Sequence, residues 1–454
     1  MLLQKPARSL LVLAPLLIIS ILTNGILPAR ASNFQLHSPI VIDGNGGFTT
    51  ANGVKGGSGT ATDPYVIEGW EIASPPSYGI LVVDTNAHFV IRDVYVHSAP
   101  PFSDFVGVVE FEDVVNGGIE NVTLSNNSRF AAIHVRYSNN ITISHNRIES
   151  NEAYAIGVEF PQNVTITSNL IRSNLGGIFV SGVGTSYAEI VGNEVSSNKY
   201  CGIAMASSSN VVSGNSVNSN GCGISAGRRC DCFIMGNTIS NNYLGIGINS
   251  GPSPFHNNFI NNTVQASAGC PYAGCVWTWD RGYPNGGNFW SDNVGVDNCS
   301  GSFQNVCPSP DGIGDTPYNM NFDPPRILSN TDRFPLMKPF APAVSGTVSL
   351  GPATIGAQSN GGYLTAIVKL PEGYNASNLI PSSIRLNGSI ALASGATVSQ
   401  SNGAGLLVVR FNMTQVRALL SKPSNYALQV SGNLLTSTNF RPFYATASVR
   451  LLPQ

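Results

Sequence analysis

Glu110, Glu112, His134, Arg136 and Glu159 are the ionisable residues whose spacing suits chemistry. Alternate residues on one strand lie about 6.6 Å apart, at the lower edge of the ~6.5–9.5 Å that separates the two acids of inverting glycosidases. Glu110 and Glu112 meet that distance, as any Glu-x-Glu strand would, so they are candidate catalytic carboxylates. Arg136 is the candidate proton acceptor of a lyase-type elimination. Aligning Gly107-Val-Val-Glu-Phe-Glu112 with Ala131-Ala-Ile-His-Val-Arg136 and Tyr154-Ala-Ile-Gly-Val-Glu159 keeps Val109, Ile133 and Ile156 inside. All polar positions then face outward, in one column of Glu112, Arg136 and Glu159 and another of Glu110, His134, Gly157 and Phe179. Two readings stay open. One is an exposed charge ladder in which Arg136 neutralises two glutamates, each such pair being worth about 0–1 kcal/mol. The other is a ligand-binding patch whose carboxylates and guanidinium bond sugar hydroxyls while an aromatic ring stacks on the pyranose.

Other chemistries have thinner support. Asp311-Gly-Ile-Gly-Asp315 offers two carboxylates around glycine turns, which suits calcium, with a tight turn as the alternative. No other cofactor is expected, and the six histidines are scattered without metal-ligand spacing. Zinc-hydrolase and phosphate-loop motifs are absent from the sequence.

The elements that position these residues follow from a repeat. Asn146, Asn169, Asn193, Asn215 and Asn237 form one series, Asn151, Asn174, Asn198, Asn220 and Asn242 a second, and Ile133, Ile156, Ile178, Ile203, Ile224 and Ile246 a third. All recur together every 21 to 25 residues, with short alternating apolar runs and no helical stripe. Each repeat is therefore one coil of a β-solenoid, with Ile and Val stacked inward and Asn at left-handed corners.

The repeat resembles the parallel β-helix of NosD-type proteins and of related carbohydrate-binding and sugar-hydrolase repeats. Upstream, Gly56-Gly-Ser-Gly-Thr60 and Asp63-Pro-Tyr-Val-Ile-Glu-Gly-Trp70 resemble the first coil of secreted archaeal members. Downstream, Gly287-Asn-Phe-Trp-Ser-Asp292, Asp311-Gly-Ile-Gly-Asp-Thr-Pro-Tyr318 and Asp332-Arg-Phe-Pro-Leu-Met337 resemble their closing segment. The resemblance implies an all-β, right-handed solenoid. It implies three functions that remain open: a carbohydrate-binding or scaffold protein, a polysaccharide lyase or glycoside hydrolase, or a periplasmic accessory protein of the NosD type.

The rest of the chain sets the context. Lys5 and Arg8 precede a 13-residue apolar run, Leu10 to Leu22, and Ala29-Arg-Ala31 offers a cleavage site. That run is shorter than the roughly 20 residues of a membrane span, so residues 1–31 read as a signal peptide and the mature chain carries no stable span. The protein is then secreted or at the cell surface. The net charge is −2, and residues 1–31 hold three basic side chains and no acid, which argues against nucleic acid; the resemblance to carbohydrate-binding repeats implies polysaccharide as the partner.

Eight cysteines suit disulfides in an exported chain. Cys201 and Cys222 occupy equivalent positions in adjacent coils; Cys270 with Cys275 and Cys299 with Cys307 close small loops; Cys230 and Cys232 look awkward to bridge to each other. Sequons at Asn121, Asn140, Asn163, Asn261, Asn298, Asn375, Asn387 and Asn412 are candidate glycosylation sites, although a corner Asn followed by a Thr-containing strand writes one automatically. Solenoid over 32–268, closing segment over 269–340 and an immunoglobulin-like β-sandwich over 341–454, after a Pro339 to Pro342 linker, complete the division.

Overall fold

Stacking in register is what the isoleucine column demands, and it is found: Ile133 pairs with Ile156, then Ile178, Ile203, Ile224 and Ile246 follow in parallel neighbours. All six are fully buried. The computed structural model describes residues 34–101, 105–182, 187–227, 230–249, 253–269, 275–320, 327–356, 358–359, 361–401 and 404–453. The expected signal segment lies outside them, as does Cys270. Among the described residues the coils form three sheets: ten strands from Ile40–Asp43 to Val264–Ala268, eleven from Gln35–Leu36 to Phe289–Trp290, and nine on the third side. The chain is mostly β, and this part of it is a β-solenoid.

Two asparagine ladders run through the coil interior. In one, Nδ2 of Asn146, Asn169, Asn193, Asn215, Asn237 and Asn257 each donates to Oδ1 of the next rung at 2.9–3.1 Å. The second runs from Asn127 through Asn151, Asn174, Asn198, Asn220 and Asn242 to Asn262. Each later Oδ1 also accepts the backbone N–H of the preceding rung, as Asn169 does from Asn146 at 3.0 Å, and the first rungs, Asn146 and Asn127, accept the Val122 and Ala99 amides, so polar groups that burial would penalise are paired. The left-handed residue is not the ladder asparagine. It is the residue before it: His145, Ser168, Gly192, Gly214 and Gly236 in the first ladder, and Ser150, Ser173, Ser197, Ser219 and Asn241 in the second. The ladder residue must point inward, so the turn is made one position earlier.

The closing motifs end these ladders. Asn288 of the Gly287-to-Asp292 motif is the last rung of the first, and Asp332 caps it, accepting from the Asn288 amide at 2.7 Å and the Trp290 indole at 2.9 Å. The second ends on Gln265, which accepts from Asn262 and donates to Ser291 and Asp292. Burial pushes the Asp332 carboxyl up to about 7, against the hydrogen bonds from Asn288 and Trp290 that favour its ionised form. An unfolded aspartate titrates near about 3.9, so between about pH 4 and 7 the folded state keeps a proton that the unfolded chain has released. Stability from this group is present below about pH 4 and lost as pH rises through about 7. Thermal unfolding of the wild type is therefore expected to fall over that window relative to Asp332→Asn, whose amide does not titrate; parallel pH curves would contradict it.

Cys201 and Cys222 are register partners and form a disulfide with Cα atoms 4.3 Å apart. Cys299 and Cys307 are also bonded. Cys230 and Cys232 are bridged to each other, contrary to expectation. The reason is local: their Cα atoms are 5.0 Å apart, well under the ~6.6 Å of an extended strand and within disulfide reach. Such bonds belong to an oxidising compartment.

From Val344 two further sheets, of six and four strands among the described residues, share a core that includes Leu364, Ala366, Val368, Val409, Leu428 and Val430. The linker is pinned at both sides. Phe340 donates its amide to Asn258 Oδ1 at 2.7 Å, and the Ala341 amide bonds the Phe440 carbonyl at 2.9 Å. No helix among the described residues is long and apolar enough to cross a membrane.

Candidate functional site

Three parallel neighbours, Gly107–Val114, Ala131–Arg136 and Tyr154–Glu159, carry the predicted cluster in the predicted register: Glu110 beside His134 beside Gly157, and Glu112 beside Arg136 beside Glu159. The alternation places Val109, Ile133 and Ile156 inside, where all are fully buried. The second column, however, is not exposed. Glu110 is 0 % and His134 1 % accessible. Phe130 closes over the imidazole edge-on at 4.9 Å, and Gly157 makes room: a Cβ there would lie 3.2 Å from His134 Cδ2 and 3.4 Å from Phe130 Cε1. An outward position on a strand is thus covered by a neighbouring aromatic side chain.

Burial changes the electrostatics. Glu110 accepts from the Gly107 amide at 2.5 Å, from His134 Nδ1 at 3.1 Å and from Arg136 Nε at 3.0 Å. Arg136 Nη2 donates to Glu112 at 2.7 Å. The guanidinium therefore neutralises Glu110 and Glu112, rather than Glu112 and Glu159. Burial works against its charge, but the two carboxylates outweigh that and raise its pKa above the ordinary arginine value. A group so held is a fixed cation rather than a proton acceptor, and a carboxylate enclosed by three donors is remote from any substrate. These two placements argue against the proton-transfer roles expected for Glu110 and Arg136. Glu159 is left at the edge, its Oε2 3.7 Å from His134 Nε2, and Nε2 is buried without a hydrogen-bond partner.

The sequence reading picked out Phe179 but missed the other aromatic residues bordering this row. Phe105, Phe130, Tyr154 and Phe179 run along one side with successive ring centroids 5.5, 6.1 and 5.4 Å apart. On the other side Tyr137 and Phe160, the residues directly after Arg136 and Glu159, stack at 4.9 Å with planes 9° apart. Both hold left-handed backbone, φ 50° and 55°, a conformation costing bulky residues of the order of 1–2 kcal/mol. Tyr137 is nevertheless 54 % exposed. Their signal in the sequence was an aromatic at equivalent positions of consecutive coils.

The Asp311 to Asp315 segment is a turn. Asp311 Oδ1 accepts the Ile313 amide, Asp315 accepts those of Asn298 and Cys299, and Asp297 those of Asp311 and Gly312. Among the described residues no three His, Cys, Asp or Glu side chains come together as metal ligands.

Residues 40–295, more than half of the chain, match the family described as "Periplasmic copper-binding protein (NosD)". The chain belongs to the NosD family. No curated protein matches this NosD-family chain. Among solved structures it is similar to XylC in complex with xylose, at 12% identity and a TM-score of 0.32, over 68% of this chain and 56% of that one. It is also similar to endopolygalacturonase I from Stereum purpureum complexed with two galacturonates, at 16% identity and TM-score 0.25, over 54% of this chain and 72% of that one. A third is tailspike protein 2 of Escherichia coli O157:H7 bacteriophage CAB120, at 9% identity and TM-score 0.36, over 92% and 58%. The chain thus spans just over half of the XylC and tailspike chains. The copper in the family description does not fit the donors here: His134 is engaged by Glu110, His97 by Glu71, and six cysteines are oxidised to disulfides. Soft thiolate, thioether and imidazole donors are what copper selects, and the described residues of this NosD-family chain do not gather them.

Proposed function

We propose that this NosD-family chain is an extracytoplasmic glycan-binding protein whose ligand lies along the face carrying Glu112, Arg136 and Glu159. The observation that carries the reading is the Tyr137–Phe160 stack beside that row. Exposed aromatic faces bind the apolar face of a pyranose, and carboxylates with a fixed guanidinium bond its hydroxyls. Holding two bulky rings in left-handed backbone at the surface lowers stability without filling a core, which is the pattern of a functional site. Glu110 and His134 belong to it as positioning residues, fixing the plane of Arg136. The coils are read as right-handed, the hand favoured for parallel crossovers. The module over 341–454 is read as immunoglobulin-like, and 1–31 as a cleaved export signal.

The test is a polysaccharide panel and glycan array on the wild type and on Tyr137→Gly. Glycine relieves the left-handed backbone while removing the ring, so the variant is expected to keep its stability within about 1 kcal/mol and to lose glycan binding at least tenfold. Undiminished binding in Tyr137→Gly would reject this face. Release of reducing sugar or unsaturated uronate would make the protein an enzyme instead.

A further inference from the structure

Which saccharide this face takes is written in its charges. The inference rests on the glycan-binding reading above. Arg136 is its cation, and the guanidinium bonds two carboxylates, Glu110 at 3.0 Å and Glu112 at 2.7 Å. Acidic groups continue beyond it. Register places Asp113 and Asp84 in the coils preceding Tyr137, on the same left-handed corner. There they line an open depression of about 530 Å³ with Asn45, Thr85, Asn86 and Val115.

Glu159 lies on this row directly before Phe160, with its side chain 31 % exposed. Its Oε2 lies 3.7 Å from the buried His134 Nε2, too long for a hydrogen bond. No hydrogen bond from His134 reaches Glu159: its Nδ1 is engaged with Glu110, and its Nε2 is buried without a partner. A donor arriving from solvent can therefore be received by the partly exposed Glu159 carboxylate. Beside it are the faces of Tyr137 and Phe160, whose quadrupole attracts a cation. A uronate or sulfate brought here meets Glu112, Glu159 and Asp113, while the Arg136 guanidinium is already bonded to two carboxylates, and like-charge juxtaposition disfavours it.

We infer that the ligand is a basic saccharide, an oligomer of hexosamine with free ammonium groups, whose ring packs against the Tyr137–Phe160 pair and whose ammonium is received by Glu159.

Titration calorimetry on the full chain at low salt would compare a glucosamine tetramer, its fully N-acetylated counterpart and a galacturonate tetramer. The glucosamine tetramer is expected to bind at least tenfold more tightly than the acetylated one, with no measurable uptake of the galacturonate. Glu159→Gln, which keeps the shape of the side chain and exposes no core, is expected to erase the difference between the first two. Galacturonate binding equal to or tighter than glucosamine would overturn the inference, and so would a preference that survives Glu159→Gln. Equal binding of the glucosamine and acetylated tetramers, lost in Tyr137→Gly, overturns the charge preference but leaves glycan recognition standing. Binding of none of the three, with no hit on a wider array, overturns both.

Discussion

Ile178→Asp is expected to destabilise the solenoid by at least about 4 kcal/mol, since removing a buried aliphatic side chain costs ~2–5 kcal/mol and burying an unpaired carboxylate several more. Ile178 is fully buried between Ile156 and Ile203. Each coil contacts only its neighbours, so the break spreads to the coils on either side rather than being absorbed by a wider core. Single domains are stable by only about 5–15 kcal/mol, so the loss would be plain in a urea transition. Thr142→Asp is the control. It lies on an exposed position of Asn139–Ser144, where a charge should shift stability by no more than about 0.5 kcal/mol. Equal transitions for the two variants would overturn the inward assignment.

Arg136→Ala is expected to cost about 3–5 kcal/mol, the penalty for stranding a buried carboxylate without its partner. An exposed ladder would lose only about 0–1 kcal/mol on the same change. The difference comes from Glu110, which is 0 % accessible and depends on the Arg136 Nε donor. Adding Glu110→Gln removes the stranded charge, so the double variant should recover part of the loss. A single-variant cost below about 1 kcal/mol would place the network at the surface. Arg136 is for this reason a poor probe of ligand binding, and Tyr137→Gly and Glu159→Gln are better ones.

The solenoid was legible because its physics repeats. A column such as Ile133 to Ile246 or Asn146 to Asn237 reports the same environment many times, and the register it implies is the one observed. Cys201 and Cys222 were readable for the same reason. What strand alternation does not contain is what lies over an outward side chain. His134 became buried because Phe130, just before the strand, folds back across it and Gly157 leaves space, and Glu110 lies beneath His134 and Arg136. The ladder asparagines were assigned left-handed backbone on the habit of the residue type, whereas inward aim forces the turn onto residues such as Ser168 and Gly192. Asp332 looked like part of a closing motif; only the fold reveals it as the acceptor ending a ladder begun in distant coils. Cys230 and Cys232 depended on a local bend that no period specifies.

Hydrogen–deuterium exchange of the full chain, with and without the tightest glycan from the array, tests recognition on this face most directly. Protection on binding is expected in Ala131–Arg136 and Tyr154–Glu159 and at the corner amides of Tyr137 and Phe160. Protection confined to the opposite sheets of the solenoid or to residues 344–453, with these strands unchanged at saturating ligand, would contradict it.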